Sequence, residues 1–502
     1  MKNHLQNLFV LPALMAGLGL ILTNPATAQT FTPLYSFTNS PDGAYPQGNL
    51  VLSGNTLYGT TSQGGILNSN NGLGNGTVFA ININGSNYTN LYLFGSTNND
   101  GAIPYGVLVL SGNTLYGAAD QGGSYSNGTL FSLNTSGSNY VILHQFGPTS
   151  LNNAGQSTNS DGAGPQESGL ILSGNTLYGT AIGGGVNGSG TVFSLNTSGS
   201  NYITLHNFGP WGYDASFQTT NNYGANPEST LLISGNTLYG ITVVGGTNGN
   251  GTVFSMSTGG SNFMILHTFG AWGLNTNLNS YTNNDGAYPQ GAGLILSGNT
   301  LYGTTCEGGT NAHGVSAGGT VFSLNTSGSN FTVLHDFSGG GDGSTPFCGL
   351  SLSGNTLYGT TEQGGTNGFG TVFSLNTSGT NFSVLYTFNG TPDGYFPEAG
   401  LILSGNTLYG TTTFGGTNGY GMVFSLTVTL SVTPQLAIAL SGTNVILNWP
   451  TNAAGFTLES ATNLVSSAIW ITNAPPPVVV GTNNAVTNGI SGIRKFYRLI
   501  SQ

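Results

Sequence analysis

From Gln29 to Ile493 the chain has no lysine and no arginine; Lys2, Arg494, Lys495 and Arg498 are its only basic residues. Proteins that bind nucleic acid draw most of their affinity from cations set against phosphates. Phosphate clamps need the same side chains. Both partner classes are therefore excluded from the body of the chain. Charge of either sign is scarce, at 4% of residues with a formal net charge of −11. Helical periodicity is missing after the first 28 residues, and so is any later apolar run long enough to cross a bilayer. The close spacing of acidic ligands that calcium wants, such as Asp-x-Asp-x-Asp, is also missing, and no metal or other cofactor is expected. What remains is 37% apolar and 11% aromatic residues, too much for a disordered polar chain. A folded protein is expected, with Asn, Ser and Thr on its surface where most proteins carry charge.

The N-terminus has the pattern of a secretory signal peptide over residues 1–28. Lys2 is the positive region, Leu8 to Leu22 the apolar region, and Ala26-Thr27-Ala28 the small-residue cleavage site. The mature protein is expected to be secreted, periplasmic or at the cell surface, with no integral membrane span.

Internal repetition dominates the rest. Ser-Gly-Asn-Thr-Leu-Tyr-Gly occurs seven times, starting at Ser53, Ser111, Ser173, Ser234, Ser297, Ser353 and Ser404. Each period carries four short apolar segments bounded by Gly and Asn, rich in β-branched and aromatic residues, which is strand chemistry. The first two are joined across Gly-Asn, a tight-hairpin signal in which both residues tolerate positive φ. Four antiparallel strands per period predict a β-propeller blade. The mature chain opens with a fourth-type strand, Phe31 to Phe37, and its last repeat ends on a third-type strand, Gly421 to Leu426. The reading is an all-β, seven-bladed β-propeller over residues 29–430, closed when the N-terminal strand completes the last blade.

Four blocks recur in order: Asp-Gly-x-x-Pro, Leu-Tyr-Gly-Thr-Thr-x-x-Gly-Gly, Gly-Thr-Val-Phe-Ser-Leu and Leu-His-x-Phe. Across residues 31–427 they resemble the GloVer tandem-repeat family of exported bacterial proteins. That resemblance implies variable C-terminal modules and brings no catalytic set with it. Residues 431–502 depart from the repeat and read as strands around Trp449, with a closing Phe496-Tyr-Arg-Leu499. They resemble a reduced fibronectin type III or immunoglobulin-like β-sandwich. Its basic residues either offset Glu459 and the acidic body or help to dock the module.

Candidate sites lie on the face where inter-blade loops meet the loops between second and third strands. Three consecutive inter-blade loops, Phe146 to Pro165, Phe208 to Pro227 and Phe269 to Pro289, span 19, 19 and 20 residues, against 9 or 10 elsewhere. They carry Trp211, Tyr213, Trp272 and Tyr281, aromatics suited to stacking on sugar or peptide; alternatively the rings pack as local cores. After each motif proline stand Gln47, Tyr105, Gln166, Glu228, Gln290, Phe347 and Glu398, expected to ring a channel mouth. Asp120, Glu307 and Glu362 stand nearby. This amide-rich acidic rim suits a cation or a neutral glycan, or simply water. The motif aspartates are expected to cap their own turns, and His144, His206, His267 and His335 to pack with one polar tip; His313 lies outside that pattern. Cys306 and Cys348 are expected to form a disulfide between neighbouring blades, the default in an exported protein.

The expected function is a non-enzymatic binding module for a glycan or envelope polymer. The alternative is a secreted carbohydrate-active enzyme using two carboxylates from among Asp120, Asp214, Glu228, Glu307 and Glu362.

Overall fold

The computed structural model describes residues 29–501 apart from 68–72, 98, 167–168, 211, 214–218, 277–279, 292, 311–317, 429–435, 442–443, 451–455, 463–470, 473–476, 481–482 and 490–494. Among the described residues every regular element is a β-strand. The signal-peptide segment 1–28 lies outside them.

The repeats build seven four-stranded antiparallel sheets. Within each, the heptapeptide makes the first hairpin: Ser53 pairs with Thr56 across Gly54-Asn55. Only the glycine takes positive φ there, at 57°. Glycine at the first central position is the type II′ arrangement, whose twist matches the flanking strands. Second and third strands pair without interruption, as Thr56–Thr61 does with Thr77–Asn82. Six sheets take their four strands from one continuous stretch. The other combines Phe31–Ser36 with Met422–Thr427, Thr407–Thr412 and Ile402–Ser404, with Phe31 opposite Leu426 and Ser36 opposite Met422.

Cores form between sheets rather than within them. Leu143 and Phe146 of the second repeat pack with Leu177 and Phe193 of the third. Phe37 shares a cluster with Leu57 and Phe79 of the first repeat and with Tyr409 and Val423 of the seventh. A Phe ending each fourth strand meets the third-strand Phe of the next repeat edge-to-face, as Phe146 meets Phe193 at 5.7 Å and Phe388 meets Phe424 at 5.5 Å. Such aromatic pairs add to the stabilisation from burial alone.

Outside these cores runs a second set of contacts. The fourth-strand His or Tyr stacks on an aromatic of the next repeat: Tyr92 on Tyr140 at 3.8 Å, His144 on Tyr202 at 3.9 Å, His335 on Phe382 at 3.7 Å. The series continues through Tyr386 on Phe31 at 4.2 Å and Tyr35 on Tyr88 at 4.0 Å. Each such His or Tyr also reaches the motif aspartate. Tyr35 donates to Asp42 at 2.7 Å, His144 pairs with Asp161 at 3.0 Å, and His267 with Asp285 at 2.9 Å. The aspartate in turn accepts backbone N–H groups from the strand exit, as Asp161 does from Gly147 at 3.0 Å. Burial pushes the Asp161 carboxyl up, but the bonds from His144 and Gly147 outweigh it and hold the pKa low. The exception is His206. Tyr223 stands where its aspartate would be, the buried His206 Nε2 has no hydrogen-bond partner, and burial lowers its pKa to about 4.

The C-terminal residues form a four-stranded and a three-stranded sheet, sharing a small core of Leu447, Trp449, Leu458 and Val486. Arg498 lies opposite Glu459 and donates to its carboxylate at 2.8 and 2.9 Å.

Candidate functional site

The loop-bearing face is held by one backbone device used seven times. The residue before each motif proline has positive φ: Tyr45, Ile103, Asn226, Tyr288, Thr345 and Phe396 at 54–58°, and Gly164 at 62°. Its N–H donates to the preceding repeat and its carbonyl accepts from the second-strand exit of its own. Tyr45 thus donates to Tyr420 at 2.9 Å and accepts from Ser62 at 3.1 Å. Just before it, the motif's third residue pairs with that exit, as Ala44 does with Gln63. Neighbouring repeats are stitched together here, which fixes the side chains around each stitch.

Four of the seven post-proline residues come together. Gln47, Tyr105, Phe347 and Glu398 line one narrow cavity of about 20 Å³, together with Val107 and Gly291. That is room for about one water molecule. Gln47 donates to Glu398 at 2.7 Å and Gln290 to Glu228 at 3.0 Å. Gln166 is half-buried. Burial raises all five nearby carboxyls, Asp120 to about 6 and Glu228 to about 7, with Glu307, Glu362 and Glu398 also shifted upward. Asp120 contributes further to the Glu228 shift, and Glu362 to that of Glu398. The cause lies in composition. These acids are desolvated in a body with no cation to compensate them, so the neutral form is favoured. Among the described residues no group of three or more His, Cys, Asp or Glu is arranged to hold a metal. A larger hollow of about 210 Å³ lies between the first and second repeats, lined by Gln63, Leu73, Asn75, Ile103 and Gln121.

The three long loops contain β-hairpins: Ser150–Leu151 with Ser157–Thr158, Gly212–Tyr213 with Thr219–Thr220, and Gly273–Asn275 with Ser280–Ala287. Asn159, Asn221 and Asn283 clamp their bases, each accepting from a Gly N–H three residues on at 2.9, 2.6 and 2.9 Å. Trp272 is half-buried and donates its Nε1–H to Asn250 at 3.1 Å, which ties it to the third-strand approach. Tyr213 and Tyr281 sit on hairpin strands, and their side chains lie outside the described set, as do Trp211, Asp214 and His313 altogether.

Cys306 and Cys348 do not form a disulfide. The expectation placed both on the same face of neighbouring repeats, but a disulfide needs the two sulfurs in bonding contact, and each has other neighbours. The Cys348 sulfur lies 2.7 Å from Thr360 Oγ1 inside its own sheet, and that of Cys306 faces Gln290 Oε1 at 3.9 Å.

One feature escaped the sequence reading. Six half-buried rings, Tyr420, Tyr45, Phe414, Tyr395, Phe396 and Phe369, form a continuous row across the sixth, seventh and first repeats. Its signal was available: these are repeat positions where the other repeats mostly carry small or polar residues.

The Gloeobacter/Verrucomicrobia repeat model matches residues 15–158, 148–275 and 270–448. None of the curated proteins matches the sequence. Among solved structures the chain is similar to a nidogen/laminin complex (14% identity, 62% of this chain and 91% of that one, TM-score 0.38). It is also similar to an oligogalacturonate lyase from Vibrio parahaemolyticus (9%, 80% and 97%, 0.42). A third is a puromycin-hydrolysing peptidase from Mycobacterium tuberculosis (9%, 84% and 61%, 0.43). No helix among the described residues is long and apolar enough to cross a membrane.

Proposed function

This chain belongs to the Gloeobacter/Verrucomicrobia repeat family, and we propose that it is an exported, non-enzymatic, seven-bladed β-propeller that binds a neutral glycan or envelope polymer at the cell surface. The β-propeller-like repeat architecture is the footing. Closure of the ring is supported by the strand Phe31–Ser36 pairing with Met422–Thr427 and by the run of inter-repeat stacks that returns through Phe31 and Tyr35 to the first repeat. The signal-peptide pattern supports export. The sandwich that follows serves as an accessory module.

The observation that carries the binding reading is the state of the rim carboxylates. Glu228 and Glu398 are each engaged by a neighbouring amide, and the Gln47–Glu398 pair lines a cavity of only about 20 Å³. Such a rim can share hydrogen bonds with hydroxyls, while a pair flanking a glycosidic bond needs open space between its members. One observation favours an enzyme instead: burial brings Asp120 to about 6 and Glu228 to about 7, the range of a general acid at neutral pH.

A panel of soluble polysaccharides, scored for retardation in affinity electrophoresis and for new reducing ends, separates the two. Binding without turnover supports the module. Turnover abolished by Glu228→Gln or Asp120→Asn supports the enzyme and overturns the module.

A further inference from the structure

The seven repeats supply an internal control for every residue on the loop-bearing face. At the motif's third position stand Ala44, Ala102, Ala163, Ala225, Ala287 and Ser344, but Tyr395 in the seventh repeat. Its bridging partner at the second-strand exit is Gln63, Gln121, Gly183, Val244, Glu307 or Gln363, but Phe414 in the seventh. Before the third strand stand Asn75, Asn127, Ser189, Asn250 and Gly318, then Phe369 and Tyr420 in the sixth and seventh. Five repeats make the same turns without these rings. The fold does not require them.

Geometry then brings them together. Tyr395 and Phe414 stack at 5.5 Å with 15° between planes. Phe369 extends the row from Tyr395 at 5.4 Å, and Tyr45 and then Tyr420 extend it from Phe414 at 5.0 and 6.1 Å. Backbone bonds fix each ring's base: Tyr395 and Phe414 exchange both N–H···O bonds at 3.0 and 3.2 Å, and Phe396 donates to Phe369 at 3.2 Å. Tyr45 and Phe396 hold their rings at φ of 57° and 56°, a conformation that Gly164 and Asn226 adopt at the same turn with far less strain. Burial raises the Tyr45 hydroxyl's pKa, and the neighbouring Tyr420 and Tyr395 hydroxyls add to the shift. Two residues beyond Tyr45 and Phe396 lies the Gln47–Glu398 pair, at 2.7 Å.

We infer that this row across the sixth, seventh and first repeats is a carbohydrate-binding platform, taking a neutral glycan whose sugar faces lie on the rings while its hydroxyls meet the Gln47–Glu398 pair and the phenols. The inference rests on the binding-module reading and locates its site away from the long hairpins. Flat rings suit the C–H faces of pyranoses, and amides and carboxyls suit their hydroxyls. The acidic rim and the absence of Lys and Arg from Gln29 to Ile493 disfavour an anionic polymer. A preformed row loses little freedom on binding.

The test uses the mature chain with barley β-glucan, xyloglucan and galactomannan as neutral probes and polygalacturonate as the anionic one, read by affinity electrophoresis and tyrosine fluorescence. The key variant is Tyr395→Ala with Phe414→Gln, which installs the Ala44–Gln63 pair that the first repeat already folds with. At least one neutral probe is expected to bind and polygalacturonate to pass freely. The double variant should bind at least tenfold more weakly with an unchanged thermal midpoint, and Trp272→Ala should bind as the parent does. Binding retained by the double variant and lost in Trp272→Ala would move the site to the hairpins, overturning the platform while leaving the module reading intact. Failure of the parent chain to bind any neutral probe would overturn both.

Discussion

Between the sheets, the repeats meet through nearly the same residues each time; on the loop-bearing face, those same repeats diverge. Phe146 against Phe193 and Phe388 against Phe424 are interchangeable descriptions of one contact. Ala44 with Gln63 and Tyr395 with Phe414 occupy one bridge and present opposite chemistries. Packing demands uniformity because each sheet must fit two neighbours at interior density. The face answers only to solvent or ligand, so departures from the repeat there mark function more than fold. The contact between the third and fourth repeats lies between these extremes. It keeps the His206–Phe263 stack at 3.9 Å but has lost the aspartate that serves the other six.

The contrast can be broken by exchanging residues between the two classes. Phe193→Ala, in the core between the second and third repeats, should cost about 3–5 kcal/mol, the usual range for a buried Phe. Urea unfolding measures this, and a loss under about 1 kcal/mol would mean that the cores are not what holds the sheets together. Asp161→Ala removes the acceptor for His144 and for the Gly147 N–H, and a loss of about 2 kcal/mol is expected, typical of hydrogen bonds to a charged group. The same substitution at Asp42, where Tyr35 is the donor, should cost a similar amount.

Tyr223→Asp sharpens the comparison in the other direction, giving His206 its missing partner and raising stability by about 1 kcal/mol. Its pH dependence carries the sign. In the parent chain the folded state holds His206 near 4, below its unfolded value of about 6.5. The unfolded state therefore takes up a proton first, and stability falls as pH drops from about 6.5 towards about 4. An aspartate beside the ring raises the folded value and removes that loss, so the gap between variant and parent should widen below pH 6.5. Glu228 acts oppositely. Its folded pKa is raised to about 7, so its contribution is present below about 4.5 and lost as pH rises through about 7. Both proteins share it, and it cancels in their difference. A gap that does not change with pH would show that an aspartate at position 223 does not reach His206 as the motif aspartates of the other repeats reach their His or Tyr.

Much of the interior was legible because it is written seven times. Four strands per period and the tight hairpin followed from short β-branched and aromatic segments punctuated by Gly and Asn. The His/Tyr–Asp pairing was not legible, although both positions stood out, because it closes across a loop of variable length, 7 residues from Tyr35 to Asp42 but 17 from His144 to Asp161, whose course the repeat pattern does not specify. The aromatic row was hidden for a related reason. Tyr45 and Phe414 are distant in the chain, and substitutions at repeat positions attract less notice than the inserted hairpins with their tryptophans. The cysteine expectation failed because lying in loops of neighbouring repeats does not bring two sulfurs within bonding distance, and each sits against another side chain instead.

Ring closure is the claim on which the geometry of the face depends, and hydrogen exchange of the mature chain tests it directly. The amides of Phe31–Ser36 that donate to Met422–Thr427 across the edge of the seventh sheet should be protected, on the same denaturant dependence as those of Met422–Thr427. Exchange of that segment at the rate of an unstructured peptide, with Met422–Thr427 still protected, would contradict the closed ring.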